Sequence, residues 1–388
     1  MHYDFDEVID RKNTNCAKYD FLEENGKSVD VLPLWVADMD FRAPEEVVQA
    51  LRRIAEHGIY GYGGIKSDYK EAVIKWFEDH HQWQIEPRWI VNTPGVVFAL
   101  SMCINTYTKE GESILIQEPV YYPFKNMIVN NNRKPISSDL VLIDGHYEID
   151  FDDFEDKIRE NNVRMFILCS PHNPVGRVWT KAELEKIGTI CRRYDVLVVS
   201  DEIHCDFVYS GYKHLVFASL DPEFAEHCII CTAPSKTFNL AGLQASNIII
   251  PNEGLRKEYI RTLNRVGLKS LNIMGAAACQ AAYSYGETWF LELKDYLEKN
   301  VAFIRKFVQE ELPGIHLIEP EGTYLMWLDC RELGFSDEEL NRRVNEDAKL
   351  WLDAGNMFGV SGEGFERINA ACPRKTLEEA MGRFKKIL

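Results

Sequence analysis

The segment Ala233–Gly242, with the sequence APSKTFNLAG, places Lys236 between two short apolar runs of the chain. These runs are Cys228–Cys231 and Asn247–Ile250, and both have the composition of buried strands. Lysine rarely lies unpaired in a protein interior. Lys236 is therefore either a loop residue whose amine extends to solvent or a residue whose amine forms a Schiff base with a carbonyl cofactor.

The pattern around this segment continues along the chain from Trp89 onward, where apolar runs alternate with helical patterns. The predicted strands are Ser113–Gln117, Arg164–Cys169, Val196–Ser200, Cys228–Cys231 and Ser246–Ile250, and the predicted helices include Pro94–Tyr107, Phe151–Asn161 and Lys181–Tyr194. A capping box, formed by Thr180 and Glu183, marks the start of the last helix. Continuous apolar strands separated by helices predict an α/β fold with a mostly parallel sheet that helices cover on both faces.

The length of 388 residues suits a large domain with a smaller one attached. Residues 1–45 are predicted to form an N-terminal arm and part of the small domain, residues 46–287 the large domain, and residues 288–388 a small α+β domain. The further predicted elements are helices at Pro44–His57, Asp68–His80, Thr288–Glu311, Asp337–Asp353 (capped by Ser336) and Leu377–Leu388 (capped by Thr376), and strands at Ile315–Ile318 and Thr323–Leu328.

Charge and composition exclude several classes of partner. The net charge of −17 predicts a surface that repels nucleic acid and anionic membranes. The apolar runs are too short to span a bilayer, and the acidic opening residues lack the pattern of a signal peptide, so a cytoplasmic location is expected. The ten cysteines lie mostly in apolar runs, where they are expected to be reduced core residues. Cys228 and Cys231 have metal-site spacing, but on a strand they point to opposite faces.

Four segments follow the predicted strands, at the edge of a parallel sheet where ligands bind. They contribute an aromatic residue, an amide, a carboxylate with a histidine, and the lysine: Tyr121, Asn173, Asp201, His204 and Lys236. Each residue alone has an ordinary packing or capping role available. Together they suit a planar aromatic cofactor that is held by stacking, hydrogen bonds and a covalent bond to lysine. A glycine turn before a helix, at Asn92–Val97, adds an anion site.

Longer motifs strengthen this interpretation: PLWVADMDF (Pro33–Phe41), SPHNPVGRVW (170–179), SDEIHCDFVY (200–209) and APSKTFNLAGLQ (233–244). Over nearly its whole length the chain resembles the pyridoxal-phosphate enzymes of fold type I, in the class I/II aminotransferase superfamily. Within that superfamily it is most similar to the cystathionine β-lyase branch, also called the MalY/PatB branch. The resemblance implies pyridoxal 5′-phosphate as the cofactor and a homodimer that shares its active sites across the interface.

The resemblance also implies roles for the residues at the strand ends. Lys236 corresponds to the lysine that bonds to the cofactor and later removes the substrate α-proton. Asp201 would keep the cofactor's ring nitrogen protonated, and Asn173 would donate a hydrogen bond to the ring oxygen. Tyr121 would stack on the ring as part of the catalytic set, and His204 stands where related aminotransferases often have tyrosine.

The implied phosphate contacts are the backbone of Gly95, Val96 and Val97, the side chain of Ser235, and Tyr62 from the neighbouring subunit. Gln244 stands where many aminotransferases have a phosphate-binding arginine, and the lyase branch shares this glutamine. Arg367 would bind the substrate carboxylate through two parallel hydrogen bonds. Asn173 and Ala37 are the other implied substrate contacts, and three aromatic residues are candidates for the wall beyond the sulfur: Tyr60, Tyr122 and Tyr324.

The expected reaction is β-elimination from cystathionine or a related sulfur amino acid, which yields a thiol, pyruvate and ammonia. An aminotransferase shares the first steps of this reaction, so the site residues scarcely separate the two activities. A regulatory protein that holds the cofactor and acts through protein contacts is a further alternative. The expected partner is therefore a small-molecule substrate, an amino acid.

Overall fold

A seven-stranded sheet forms the centre of the computed structural model, which describes residues 3–388. The strands are β1 Leu32–Pro33, β2 Ile90–Thr93, β3 Ser113–Ile116, β4 Lys134–Ser137, β5 Leu140–Ile143, β6 His146–Ile149, β7 Met165–Cys169, β8 Leu197–Asp201, β9 Cys228–Thr232, β10 Ser246–Ile249, β11 His316–Ile318, β12 Leu325–Asp329, β13 Leu350–Trp351, β14 Asp353–Ala354 and β15 Phe365–Asn369. The helices are α1 Glu45–His57, α2 Ser67–His81, α3 Val96–Tyr107, α4 Pro123–Asn130, α5 Phe151–Glu160, α6 Lys181–Arg193, α7 Pro222–Ala225, α8 Pro234–Thr237, α9 Glu253–Arg265, α10 Ile273–Tyr285, α11 Glu287–Glu311, α12 Asp337–Arg342 and α13 Arg374–Phe384. The prediction of an α/β fold is confirmed.

The central sheet has the strand order β2-β10-β9-β8-β7-β3-β4. Strands β4, β3, β7, β8 and β9 run parallel, whereas β10 pairs antiparallel with both β9 and β2. All five strands predicted for this sheet are present, with ends that differ by at most one residue. Their parallel arrangement brings the carboxyl ends of β3, β7, β8 and β9 to one edge.

Helices cover both faces of this sheet, so its strands are buried on both sides. Strand β9 shows the alternation clearly. Cys228 and Ile230 pack into one hydrophobic cluster, whereas Ile229 and Cys231 pack into the cluster on the other face. The two cysteines therefore point in opposite directions, as predicted, and both are free thiols.

The C-terminal residues form a four-stranded antiparallel sheet with the order β11-β12-β15-β14. Helix α11 leads into this sheet. Its first half, which includes Trp289 and Leu293, packs with the central sheet, and its second half, which includes Ile304 and Val308, packs with the C-terminal elements. The predicted domain boundaries stay a prediction. Among residues 3–388, no helix combines the length and apolar composition that a membrane span requires.

Two of the helix predictions are wrong in extent. The helix predicted over Asp337–Asp353 ends as a regular α-helix at Arg342 and continues only as a π-helical turn, Arg343–Asp347. Lys349 then has a φ of 53°, and the following residues pair with β1 and β15. A strand of two residues that pairs with a distant segment shows no periodicity of its own, so the local sequence pattern could not predict it.

The other wrong extent concerns the closing helix. It begins at Arg374 rather than Leu377. Pro373 occupies the N-cap position, and proline is favoured at the start of a helix. Thr376 therefore lies within the first turn and does not cap the helix. The two remaining caps differ in completeness. Thr180 and Glu183 form the predicted capping box, with both hydrogen bonds present. Ser336 caps α12 by accepting a hydrogen bond from the backbone of Glu339.

Candidate active site

A cavity of about 220 Å³ lies at the carboxyl ends of the central strands. Almost all of the residues predicted for the site line it: Ala37, Gly95, Val96, Val97, Tyr121, Asn173, Asp201, His204, Ser235, Lys236 and Arg367. The sheet topology explains this convergence. Asp201 is the last residue of β8, while Asn173 and Lys236 each follow the end of a neighbouring strand by four residues.

Tyr62 is the exception among the predicted site residues. Its side chain is fully exposed in the segment between α1 and α2, and it does not line the cavity of its own chain. Its predicted contact with the neighbouring subunit stays a prediction. Among the three candidate wall aromatics, Tyr122 lines the cavity, whereas Tyr60 is exposed elsewhere and Tyr324 is buried behind Ala37.

Lys236 lies in the short helix α8, with its amine directed at the N-terminal arm. Its Nζ donates a hydrogen bond to the backbone oxygen of Ala37 at 2.6 Å, and the Tyr324 hydroxyl donates to the same oxygen at 3.1 Å. Removal of the amine from water lowers the pKa of Lys236 to about 8, although Asp38 and Asp201 favour the charged form. With this pKa roughly a tenth of the amines are neutral at pH 7, far more than at the ordinary lysine pKa of 10.5, and the neutral form is the one that acts as a nucleophile or base.

A buried network that the sequence analysis missed holds the lysine helix. Thr237, next to Lys236, donates from its Oγ1 to Asp206 at 2.5 Å. The other oxygen of Asp206 lies 3.1 Å from the indole nitrogen of Trp76 and 2.8 Å from Nε2 of His81. Burial alone would raise the pKa of Asp206, but the hydrogen bonds from these donors, that of His81 foremost, lower it to about 2. Asp206 belongs to the quoted motif SDEIHCDFVY, but nothing in the local sequence identified its partners.

Asp201 places a carboxylate deep in the cavity. Its side chain accepts one hydrogen bond, from the backbone N–H of Ile203 at 3.1 Å. Burial raises the pKa of Asp201 to about 7, because few donors compensate the loss of water. A cationic ring nitrogen beside this carboxyl group would stabilise its charged form. His204 is also buried, and its Nδ1 has no hydrogen-bond partner within residues 3–388.

The start of helix α3 forms an anion site at another side of the cavity. Gly95 has a φ of 148° and directly precedes the helix, whose first residues, Val96 and Val97, line the cavity. The first N–H groups of a helix have no partner within it and carry the positive end of its dipole. A Cβ added at Gly95 would meet no neighbouring atom, so the approach to these N–H groups is open. Ser235 and Gln244 complete this side.

Arg367 is the one arginine among the described residues that line the cavity. It lies on β15, almost fully buried, and its Nη1 donates to Asn173 Oδ1 at 3.0 Å. Its Nη2 donates to the backbone oxygen of Trp35 at 2.6 Å and also to the carboxylate of Asp353. The Nε has no hydrogen-bond partner within residues 3–388. Asp353 is a second residue that the sequence analysis missed, because it fell at the end of a predicted helix.

Tyr121 is the aromatic residue among the predicted site residues. Its backbone N–H donates to the oxygen of Asn173 at 3.0 Å, which ties the two strand-end segments together. Its ring is half-buried beside Tyr122 and Phe124, with centroids 5.6 and 5.8 Å away. Burial raises the pKa of Tyr121, so the phenol stays protonated and the ring serves as a flat, uncharged surface.

These residues fit the cofactor that the sequence implies. A planar phosphorylated pyridine aldehyde needs a reactive amine, an acid beside its ring nitrogen, a donor to its ring oxygen, an anion site and an aromatic surface. Lys236, Asp201, Asn173 and Tyr121 supply four of these groups, and the start of α3 supplies the anion site. The unpartnered Nδ1 of His204 and Nε of Arg367 are buried donors or acceptors that a polar ligand would satisfy.

Comparisons with known proteins cover the whole chain. The family model described as "Aminotransferase class I and II" matches residues 29–384. Cystathionine beta-lyase PatB of Bacillus subtilis is 44% identical over 384 residues, which are 99% of each chain. Protein MalY of Escherichia coli is 33% identical over 98% of this chain and 97% of its own. The crystal structure of cystalysin from Treponema denticola, which contains a pyridoxal 5′-phosphate cofactor, has a TM-score of 0.96 and 39% identity, and the match covers 100% of this chain and 99% of that one.

Proposed function

We propose that this chain, which belongs to the class I and II aminotransferase family, is a pyridoxal-phosphate-dependent carbon–sulfur β-lyase. The observation that carries the proposal is the cavity in which Lys236, Asp201 and Arg367 meet in a chain 44% identical, end to end, to a cystathionine β-lyase. The absence of nucleic-acid and membrane partners, which the sequence predicts, stays a prediction. The cytoplasmic location that the sequence predicts stays a prediction.

Each residue of the cavity has a defined task in holding the cofactor. Lys236 would supply the amine that bonds to it, and the N–H groups of Val96 and Val97, with Ser235, would hold its phosphate. Asp201 would pair with its protonated ring nitrogen, and Asn173 would donate a hydrogen bond to its ring oxygen. When bound, pyridoxal phosphate supplies an electron sink that stabilises negative charge on the substrate α-carbon.

The substrate is held by its α-carboxylate on Arg367, whose planar guanidinium donates two parallel hydrogen bonds to it. Asn173 and the Ala37 segment close the same side of the cavity. This attachment fixes the orientation of the α-carbon and its proton toward Lys236. A lysine at this position would keep the charge but lose the paired hydrogen bonds.

Lys236 moves the protons of the reaction. Its amine would be released when the substrate's own amino group takes its place on the cofactor, and the neutral form of that free amine, favoured by the lowered pKa of about 8, accepts the α-proton of the substrate. The electron pair of the broken C–H bond then forms the Cα–Cβ double bond as the Cβ–S bond breaks, and the sulfur leaves as a thiolate. The charged Lys236 is positioned to return a proton to that sulfur. The remaining unsaturated amino acid hydrolyses to pyruvate and ammonia.

The finer assignment is a cystathionine β-lyase that works as a homodimer. The names of PatB and of further relatives support cystathionine as the substrate. The exposure of Tyr62, close to the chain's own α1 and α2 but away from its own cavity, suits a residue that serves the neighbouring subunit. Two inactive variants, Tyr62→Phe and Lys236→Ala, test this arrangement. Mixed dimers of the two would regain one intact site, and activity that fails to return would contradict the shared site.

Lys236→Ala also separates catalysis from a purely regulatory role. The purified variant is expected to release no pyruvate and no thiol from L-cystathionine, while its circular dichroism spectrum stays that of the wild type. Lys299→Ala, an exposed lysine on α11, is the matched control and should keep full activity. Equal pyruvate release by Lys236→Ala and wild type would refute the proposed function.

A further inference from the structure

We infer that Asp353 recognises a cationic group at the far end of the substrate, beyond the sulfur, and so sets a preference for thioethers that carry a second ammonium group. This inference rests on the proposed lyase function and deepens it. The thioether cystathionine has a second ammonium group, and so does the disulfide cystine. Simple S-alkyl cysteines have none. The observation behind the inference is a buried carboxylate in the cavity wall that loses its partner, Arg367, when the substrate binds.

Asp353 lies on β14, directly opposite Arg367 in the register of the antiparallel pair β14–β15. Both side chains are about 2–3% exposed, and both line the cavity. One carboxylate oxygen of Asp353, Oδ2, accepts a hydrogen bond from Nη2 of Arg367. Within residues 3–388 no donor reaches the other oxygen, Oδ1. The carboxylate is thus half-satisfied before any substrate arrives.

The hydrogen bonds of Arg367 show what substrate binding must change. A carboxylate that binds a guanidinium through two parallel bonds always uses an N–H of Nη2, together with either Nε or Nη1. Both N–H groups of Nη2 are already taken, one by the Trp35 backbone oxygen and one by Asp353. The Trp35 oxygen belongs to the backbone, whereas the Asp353 side chain can rotate. The substrate α-carboxylate therefore displaces Asp353.

Once displaced, Asp353 is a buried anion without its cation, which is unfavourable unless another cation replaces Arg367. Lys27 is the lysine whose charge acts on Asp353, and Lys236 lines the same cavity, but each is engaged. Lys27 donates to Asn345 at 2.6 Å and packs over Trp351, and Lys236 is required for the chemistry. The α-amino group of the substrate is at the cofactor. A second ammonium on the substrate is the remaining cation.

The surroundings of Asp353 suit this placement. Trp35 and Tyr122 line the same cavity, and the Trp35 ring stacks on Trp351 with centroids 4.5 Å apart. Their aromatic faces provide apolar contact for the methylene groups between the sulfur and the ammonium, and they attract a cation electrostatically. Asp201, the other carboxylate that lines the cavity, is assigned to the ring nitrogen of the cofactor. Asp353 is therefore the acceptor left for a second ammonium.

Two substrates that differ only in the second ammonium test the inference: L-cystathionine and S-(3-carboxypropyl)-L-cysteine. Pyruvate release by the holoenzyme gives kcat/KM for each. The wild type is expected to prefer cystathionine by about tenfold to a hundredfold, the range of a hydrogen bond between charged groups. Asp353→Asn is nearly isosteric and is expected to reduce this ratio to about one, whereas Asp353→Glu keeps the charge and should retain part of the preference.

The ratio cancels effects that both substrates share, such as a small shift of Arg367. If Asp353→Asn fails to fold, the wild-type ratio still decides, because a ratio near one overturns the inference. A ratio that stays high in Asp353→Asn also overturns it. If neither compound yields pyruvate, the proposed lyase function fails separately. Isothermal titration of the two compounds then gives the same comparison as a ratio of dissociation constants.

Discussion

We expect the substitution Asp206→Asn to destabilise the folded protein and to slow catalysis, because Asp206 anchors the helix that carries Lys236. The carboxylate lies 2.5 Å from the Thr237 hydroxyl, 2.8 Å from His81 Nε2 and 3.1 Å from the Trp76 indole nitrogen. Burial opposes the charge, yet these donors lower the pKa of Asp206 from 3.8 to about 2. Asparagine keeps one acceptor oxygen but presents an NH₂ group to one of the donors.

The size of the expected loss of stability follows from these contacts. A pKa lowered by nearly two units corresponds to about 2 kcal/mol of stabilisation by the charged form. An unsatisfied buried donor adds a cost of about 1–3 kcal/mol, so the substitution is expected to remove about 3–5 kcal/mol. For a chain of 388 residues, each kcal/mol corresponds to about 1 °C in Tm, so Tm should fall by roughly 3–5 °C.

Thermal unfolding followed by circular dichroism measures this change at neutral pH. Asp195→Asn is the matched control, since the Asp195 side chain is 79% exposed and its change should leave Tm nearly unaltered. The pH dependence adds an internal check. Because the folded pKa is lowered, the contribution of Asp206 is present above about pH 4 and is lost as the pH falls toward 2. The difference in Tm between the wild type and Asp206→Asn should become smaller over that pH range. Equal Tm values for Asp206→Asn and Asp195→Asn at neutral pH would refute the reasoning.

Three further predictions concern the site and the fold. Arg367→Lys should raise KM for L-cystathionine more than it lowers kcat, with kcat/KM reduced about tenfold or more, since the paired hydrogen bonds are lost; an unchanged KM in pyruvate assays would contradict this. Cofactor-free protein should bind added pyridoxal phosphate faster as the pH rises, with the half-maximal rate near pH 8 and a plateau at higher pH, because only the neutral amine of Lys236 reacts; stopped-flow absorbance measures the rate, and a rate that falls as the pH rises would contradict this prediction. Thr180→Ala removes the capping box of α6 and should cost about 1 kcal/mol in denaturant unfolding, against no measurable cost for Thr189→Ala on the exposed face of the same helix.

The central sheet could be predicted from the sequence because its strands are buried on both faces. A run such as Met165–Cys169 is apolar throughout, and the helices between the runs have clear periodicity and, at Thr180, a complete capping box. The rule that ligands bind at the carboxyl ends of parallel strands then placed Asp201, Asn173 and Lys236 together. The structure brings all three to one cavity.

The partners of these residues could not be predicted in the same way. Asp353 contacts Arg367 only because two short strands pair across the C-terminal sheet, and a two-residue strand has no detectable period. The pattern around it favoured a helix instead. Asp206 similarly meets Trp76 and His81 from α2, more than 120 residues away in the chain. Contacts of this kind depend on the packing of whole elements, which local sequence does not specify.

The most direct test of the proposed function is the release of pyruvate from L-cystathionine by the purified, cofactor-loaded protein in the absence of any keto acid. A β-lyase regenerates its cofactor in every cycle, so pyruvate and thiol should accumulate together, in equal amounts, over many turnovers. An aminotransferase would stop after about one turnover per site and would resume only when a keto acid is added. Sustained release supports the lyase assignment, and a single turnover that a keto acid restores would contradict it.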